Sequence, residues 1–169
     1  MSLLLLTAGC VLKDEYPSEW EPVAYAKSGG CQDISGLYNN LGENSKQKEV
    51  YLSSVFFPKG QDPSSVDYVK IVNSHDSGSF EITLLDDSKA IKSANLTSES
   101  ELSCKNGSHV IERVEFLVKE GAIGKQWVRY SFSKSGNSLI LAKKNGAVGA
   151  LFFIPIVGSD TGWLRFQQT

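Results

Sequence analysis

Alternation of apolar and polar residues is the clearest pattern in the second half of this chain. Phe80, Ile82 and Leu84 alternate with Glu81 and Thr83. A period of two is typical of a strand with one buried face. Similar segments separated by turn residues run from Val66 onward, and about nine strands are predicted in all. The pattern therefore predicts a mainly β fold, an antiparallel meander closing into a small barrel or a sandwich, with one short helix.

Turn residues divide this meander into hairpins. Asn106-Gly107 joins the predicted strands 102–105 and 108–118, and both residues tolerate the positive φ of a tight hairpin turn. A second hairpin is predicted across residues 134–138. Asn145-Gly146 is predicted as a third turn.

The one predicted helix covers residues 45–57. Ser45 can cap its start, and Pro58 and Gly60 stop it. Tyr51, Leu52, Val55 and Phe56 would share one face of such a helix. A strand over residues 50–57 is the alternative interpretation.

Residues 147–157 form the most apolar stretch of the domain. On a strand, Leu151 and Phe153 would point to one side and Phe152 and Ile154 to the other. One interpretation is a strand whose outer side is covered by the helix. The other is an exposed apolar patch for a ligand, a partner or a membrane surface.

The pattern Trp-x-Arg occurs twice, as Trp127-Val128-Arg129 and Trp163-Leu164-Arg165. On a strand the Trp and the Arg share a face, close enough for a guanidinium to contact an indole. The alternative is that each Arg stem covers apolar surface while its head reaches water.

The start of the chain, Leu3 to Cys10, is an apolar run ending in Ala8-Gly9 and a cysteine. It resembles the lipobox of bacterial lipoproteins. The resemblance implies that Cys10 is lipidated and becomes the first residue after cleavage. Because Val11 replaces the Asp that retains such proteins at the inner membrane, it also implies an outer-membrane lipoprotein, facing the periplasm or the cell surface.

Three segments follow from this interpretation. Residues 1–9 are the remnant of a signal peptide, residues 10–30 a lipid-anchored tether interrupted by Pro17 and Pro22, and residues 31–169 a single β domain. Trp20 is large for a tether and is expected to dock on the domain.

The segment Gly36-Leu37-Tyr38 faintly resembles the Gly-x-Trp opening of lipocalins, with Tyr38 in the place of the Trp. That resemblance implies a closure in which Arg165 lies near Tyr38, and a carrier of a small apolar ligand. The residues proposed for a binding surface are Tyr38, Trp127, Arg129, Phe152, Trp163 and Arg165.

Three cysteines leave Cys31 and Cys104 as a pair if Cys10 carries lipid. An exported protein favours a disulfide between them, which the chain-entropy model values at roughly 4–5 kcal/mol. Two free buried thiols are the alternative.

Charge and motifs exclude several function classes. The net charge is −2 and the lysines are scattered, so no nucleic-acid partner is expected. His75 and His109 are the only histidines, and neither a catalytic triad nor a metal site is supported. We expect no cofactor and no enzyme, but a binding or protein-interaction module for another envelope protein or a small apolar ligand. A hydrolase with an unrecognised site is the competing hypothesis.

Overall fold

The computed structural model describes residues 10–23, 30–74, 79–99, 101–119, 122–151 and 154–169. Those residues form a mainly β fold with one short helix, as the alternation predicts. The strands are β1 (Cys10–Lys13), β2 (Gly36–Asn39), β3 (Leu41–Asn44), β4 (Glu49–Tyr51), β5 (Tyr68–Ser74), β6 (Ser79–Asp86), β7 (Lys89–Leu96), β8 (Leu102–Lys105), β9 (Ser108–Lys119), β10 (Ala122–Ser135), β11 (Ser138–Leu151) and β12 (Ile154–Gln167). The helix α1 spans Leu52–Phe56, and a 3-10 helix spans Pro63–Ser65.

These strands form two separate sheets. The long sheet has the order β4-β3-β12-β11-β10-β9-β8, and β1 pairs with β12 as its one parallel neighbour. The short sheet has the order β2-β5-β6-β7 and is antiparallel. Both orders are open among the described strands. The sheets share one core, a sandwich-like arrangement that agrees with the second of the two predicted architectures.

One hydrophobic core lies between the sheets. The short sheet contributes the alternating residues Phe80, Ile82 and Leu84, which are fully buried. Phe132 of the long sheet stacks on Phe56 of α1 with ring centroids 5.7 Å apart. Aromatic pairs at this separation add to the stabilisation from buried area. The space between the sheets is therefore filled by side chains.

The predicted helix over residues 45–57 is wrong in length. Residues 44–48 instead form a hairpin turn, in which the Asn44 side chain accepts hydrogen bonds from the backbone N–H groups of Lys46 and Lys48. The helical turn begins only at Leu52, and buried Asn40 supplies its cap. The Asn40 side chain accepts the N–H of Ser53 at 2.7 Å. A cap from a distant residue leaves no local signal in the sequence.

The hairpin prediction at Asn106-Gly107 is confirmed, since both residues have positive φ, 52° and 77°. The predicted turn at Asn145-Gly146 is wrong, because both residues lie inside β11. A Cβ added to Gly146 would lie 2.2 Å from the Trp127 ring, so the glycine makes room for an indole on the neighbouring strand. Close cross-strand packing, and not a turn, explains this glycine.

Strands β9 to β12 are longer than the core beneath them. Every core residue from these four strands lies on their body half, the rows nearer the turns at Gly107 and Gly136. We call the other half the overhang. It comprises residues 113–119, 122–128, 145–151 and 154–160, which pair in register across the four strands.

The described part of the N-terminal segment, residues 10–23, packs on the domain, and the expected docking of Trp20 is confirmed. Strand β1 pairs with β12, and Trp20 is 5% exposed. The Trp20 ring lies under the Arg165 guanidinium, and Tyr16 packs edge-on against Trp163 at 5.0 Å. These contacts cover Trp163 and Arg165 of β12 on the side of the long sheet away from the core. Among the described residues, no helix has the length and apolarity needed to cross a bilayer.

Candidate functional site

The core-side face of the overhang, together with the end of the short sheet, forms an open groove. Its volume is about 1130 Å³. Phe56, Pro58 and Leu96 supply apolar lining from the helix and the short sheet. Arg113, Glu115 and other polar residues of β9 to β12 line the opposite wall. Because the groove is wide and chemically mixed, it suits a polypeptide segment better than a small apolar molecule.

Arg113 fixes the base of this groove. Its Nε donates to the Glu101 carboxylate at 2.7 Å, and its terminal nitrogens donate to the carbonyls of Val55 and Phe56 at the end of α1. A cation at a helix C-terminus satisfies carbonyls that lack partners within the helix. Arg113 therefore holds α1 against the long sheet.

Burial changes the pKa of Tyr130, a neighbour of Arg113. Desolvation raises the pKa of the Tyr130 hydroxyl, and the positive charge of Arg113 partly opposes that rise. Tyr130 thus remains neutral at physiological pH, and its ring packs against the core.

The outer face of the overhang carries six exposed apolar side chains, which we call the tip patch. Register places all six on one face of the sheet, since directly paired residues and residues two apart along a strand share a face. Phe116 is 76% exposed and Val118 77%. The members are Val114, Phe116, Val118, Ile123, Val148 and Val157. Of the two interpretations of residues 147–157, the described part agrees with the exposed one, since Val148, Ile156 and Val157 are about half exposed, at 50%, 49% and 58%.

Trp127 and three charged residues border the tip patch on the side of the body. The Trp127 ring has the Arg129 guanidinium 5.6 Å and the Lys144 ammonium 5.9 Å from its centroid. Arg129 also pairs with Glu112 at 2.7 Å. The first Trp-x-Arg pattern therefore places an indole and its guanidinium together, as one of its two interpretations expects.

The six residues proposed for a binding surface do not form one surface. Tyr38 is fully buried in the core, where its hydroxyl donates to the Ile34 carbonyl at 2.8 Å and burial raises its pKa. Trp163 and Arg165 lie beneath the N-terminal segment. Phe152 lies outside the described residues. Trp127 and Arg129 are the described members that border the tip patch.

The expected contact of Arg165 with Tyr38 is wrong. Arg165 lies on the outer face of the long sheet, where it contacts Trp20 and forms an ion pair with Glu43. Tyr38 lies on the opposite side of that sheet, in the core. The partner of Arg165 is thus the indole of Trp20, a residue that the composition assigned to the tether.

Cys31 and Cys104 form a disulfide with Cα atoms 5.8 Å apart, which confirms the predicted pair. Cys31 precedes β2 of the short sheet and Cys104 lies in β8 of the long sheet. The bond therefore links the two sheets at one edge of the sandwich.

Cys10 begins β1, and its backbone pairs with Gly158 of β12. Gly158 follows Val157, a member of the tip patch, directly in the chain. Cys10, the residue that the lipobox resemblance identifies for lipidation, thus lies level with the tip patch. Strand β1 runs from there toward the body half.

The one described histidine, His109, belongs to neither the groove nor the tip patch. His109 is buried beside Phe80, with its Nε2 3.3 Å from the Asn73 side-chain nitrogen. His75 lies outside the described residues. Within the described part of the chain, no group of three or more His, Cys, Asp or Glu residues is placed to hold a metal ion.

Comparisons with known proteins give no relative: no protein-family model matches the sequence, and neither a curated protein nor a solved structure is significantly similar.

Proposed function

We propose that this protein is a lipid-anchored, non-catalytic interaction module of the bacterial outer membrane, facing the periplasm or the cell surface. Cys10 carries the lipid, and the groove under the overhang binds an envelope protein. The observation that carries the proposal is the contrast between a filled core and an open groove of about 1130 Å³.

The filled core argues against a carrier that encloses an apolar ligand. Phe132 packs on Phe56 and, edge-on, on Phe80 at 6.4 Å between ring centroids. Side chains of this size occupy the space that an enclosed ligand would need. Binding is therefore assigned to the surface.

The charges of the groove favour a partner segment with apolar and basic side chains. Glu101, Glu115 and Asp160 line it, and Arg113 and Lys59 are the cations among its lining residues. The Arg113–Glu101 ion pair balances one charge of each sign, which leaves Glu115 and Asp160 against Lys59. Complementary charges raise the rate and selectivity of association more than the final affinity.

An unpaired strand edge beside the groove favours an extended polypeptide. Strand β8 pairs with β9 only as far as Ile111. From Arg113 to Lys119, β9 has β10 on one side and, among the described residues, no strand on the other. An extended segment can add to such an edge through main-chain hydrogen bonds.

The lipid anchor is tested by fractionating cells that express the wild type or Cys10→Ala. The wild type should be found in the membrane fraction, with a mass increased by the acyl groups. The variant should lack that added mass. An unmodified Cys10 in the wild type would contradict the anchor.

The groove is tested by a photo-crosslinking amino acid at Gln126, whose side chain donates to Glu115 at 2.7 Å in the groove wall. A discrete protein adduct should form there and should weaken when Asp160→Lys reverses one groove charge. Asp86→Lys, an exposed Asp at the end of β6 that does not line the groove, is the matched control and should leave the adduct unchanged. Equal adducts from Gln126 and from Ile91 of the short sheet would refute a specific groove.

A carrier function is tested with a fluorescent apolar probe on folded protein. Weak, unsaturable binding agrees with the interaction module. Saturable binding with one probe per chain would instead support the lipocalin-like carrier.

A further inference from the structure

We infer that the tip patch inserts into the surface of a phospholipid bilayer and holds the domain upright with the overhang toward the lipid. This inference deepens the proposed function, and its orientation rests on the proposed anchor at Cys10. The partner is the bilayer itself, recognised through apolar insertion and cationic contacts.

Zones of side chains follow the overhang from its end to the body. On the outer face, the end rows contain Val118, Ile123, Phe116 and Val148, and one charged residue, Lys125, lies between the last two. The next row contains Val114 and Trp127, and the row after it contains Glu112, Arg129 and Lys144. An apolar end, then an indole, then charges is the order found from the acyl region to the headgroups of a bilayer.

The depth of the apolar zone matches an interfacial insertion. From Phe116 to Val118 the strand advances two residues, which is about 7 Å of length. Interfacial segments bury their apolar side about 5–10 Å into the boundary of headgroups and acyl chains. On the core-side face of the overhang, Leu117 and Ile156 are also exposed at this depth, so both faces present apolar side chains there.

Cations on the overhang and in the row next to it suit phospholipid headgroups. Lys125 lies between Phe116 and Val148 in one cross-strand row, and its long side chain can extend its ammonium to the headgroups. Arg129 is paired with Glu112, and Lys144 adds a further positive charge near Trp127. Anionic lipids should therefore strengthen binding.

The position of Cys10, taken with the proposed anchor, favours a membrane over a protein partner. Its backbone pairs with Gly158, next to Val157 in the tip patch. Acyl chains attached there would enter the bilayer beside the apolar end of the sheet. Two membrane signals at one end of the domain hold it in one orientation, whereas a lipid on a flexible tether would not.

The test uses the unacylated full chain, Cys10→Ala, with vesicles of phosphatidylethanolamine and phosphatidylglycerol. The chain should float with the vesicles. Changing Val118, Val148 and Val157 to Thr, with Phe116→Thr, should weaken partitioning about tenfold or more, since each removed apolar group lowers transfer into lipid. Thr keeps the shape of Val and a high strand propensity, so folding should be retained.

The matched control changes Val72 and Ile91, each 39% exposed in the short sheet, to Thr in the same background. These changes should leave partitioning unaltered, and a Trp fluorescence change on binding should disappear with Trp127→Phe. No flotation of the unacylated chain would overturn the inference while leaving the lipid anchor intact. Dimerisation through the tip patch without vesicle binding would overturn it in favour of a second copy of the chain.

Discussion

The two halves of the long sheet contain the same four strands and have opposite surroundings. In the body half, one face packs on the core, and on the other face Trp20 and Tyr16 cover Arg165 and Trp163 of β12. In the overhang, Phe116 and Val118 are both more than three-quarters exposed, at 76% and 77%. Apolar side chains on a sheet face therefore do not by themselves make a core. What covers them decides whether they contribute to folding or remain available for binding.

The largest expected difference between the halves comes from truncating one phenylalanine in each. Phe132→Ala removes a fully buried ring and should lower the free energy of unfolding by about 3–5 kcal/mol. Phe116→Ala should change it by less than about 0.5 kcal/mol, because that ring is exposed. Urea denaturation measures both. Equal losses would mean that the overhang is folded into a core.

Removing the disulfide should be the next largest effect, and it acts on the body half. Cys31 and Cys104 are 73 residues apart in the chain, so Cys31→Ser with Cys104→Ser should cost about 2–4 kcal/mol of unfolding free energy. Hydrogen exchange should rise more in β2 and β8 than in the overhang. Exchange that rises only in the overhang would contradict this assignment.

Adding a methyl group at Gly146 tests the side-chain packing within the overhang. Gly146→Ala brings a Cβ within 2.2 Å of the Trp127 ring, and the displaced indole should cost about 1–3 kcal/mol. With Trp127→Ala present, the same change should cost much less. The double-mutant cycle measures this coupling, and additive effects would show that Gly146 and Trp127 do not interact.

The smallest effect concerns pH and the buried Tyr38. Burial raises the pKa of its hydroxyl above the ordinary value of 10.0, so the folded protein keeps it neutral while the unfolded chain ionises. The stability from this group is therefore complete below pH 10.0 and is lost as pH rises beyond it.

Tyr38→Phe should remove the hydrogen bond to Ile34, at a cost of about 0.5–1.5 kcal/mol at neutral pH. It should also flatten the loss of stability under alkaline conditions. Unfolding free energies measured on both sides of pH 10.0 check this, and an unchanged slope would show that Tyr38 ionises equally well in the folded state.

The alternation of Phe80, Ile82 and Leu84 and the Asn106-Gly107 turn were sufficient to predict a mainly β fold from the sequence. Both signals are local, since a strand face and a two-residue turn depend on neighbours in the chain. The extent of the helix and the turn at Gly146 are predicted wrongly because distant residues act on them, Asn40 between β2 and β3 and Trp127 on the neighbouring strand. Long-range partners of this kind leave no periodic signal.

The candidate surfaces were only partly predictable. Residues 147–157 stood out by their composition, and Trp127 with Arg129 by a repeated pattern. The groove was not predictable, since it arises where β9 to β12 extend past the short sheet. Strand lengths in two different sheets must be known together before such an overhang can be recognised.

The central claim is that the overhang faces lipid while the short sheet faces water, and photo-crosslinking in native membranes tests it most directly. Benzoylphenylalanine in place of Phe116 should form adducts with phospholipid in the acylated full-length protein. The same group in place of Ile91, on the short sheet, should form none. Phospholipid adducts from position 91 and not from position 116 would contradict the account.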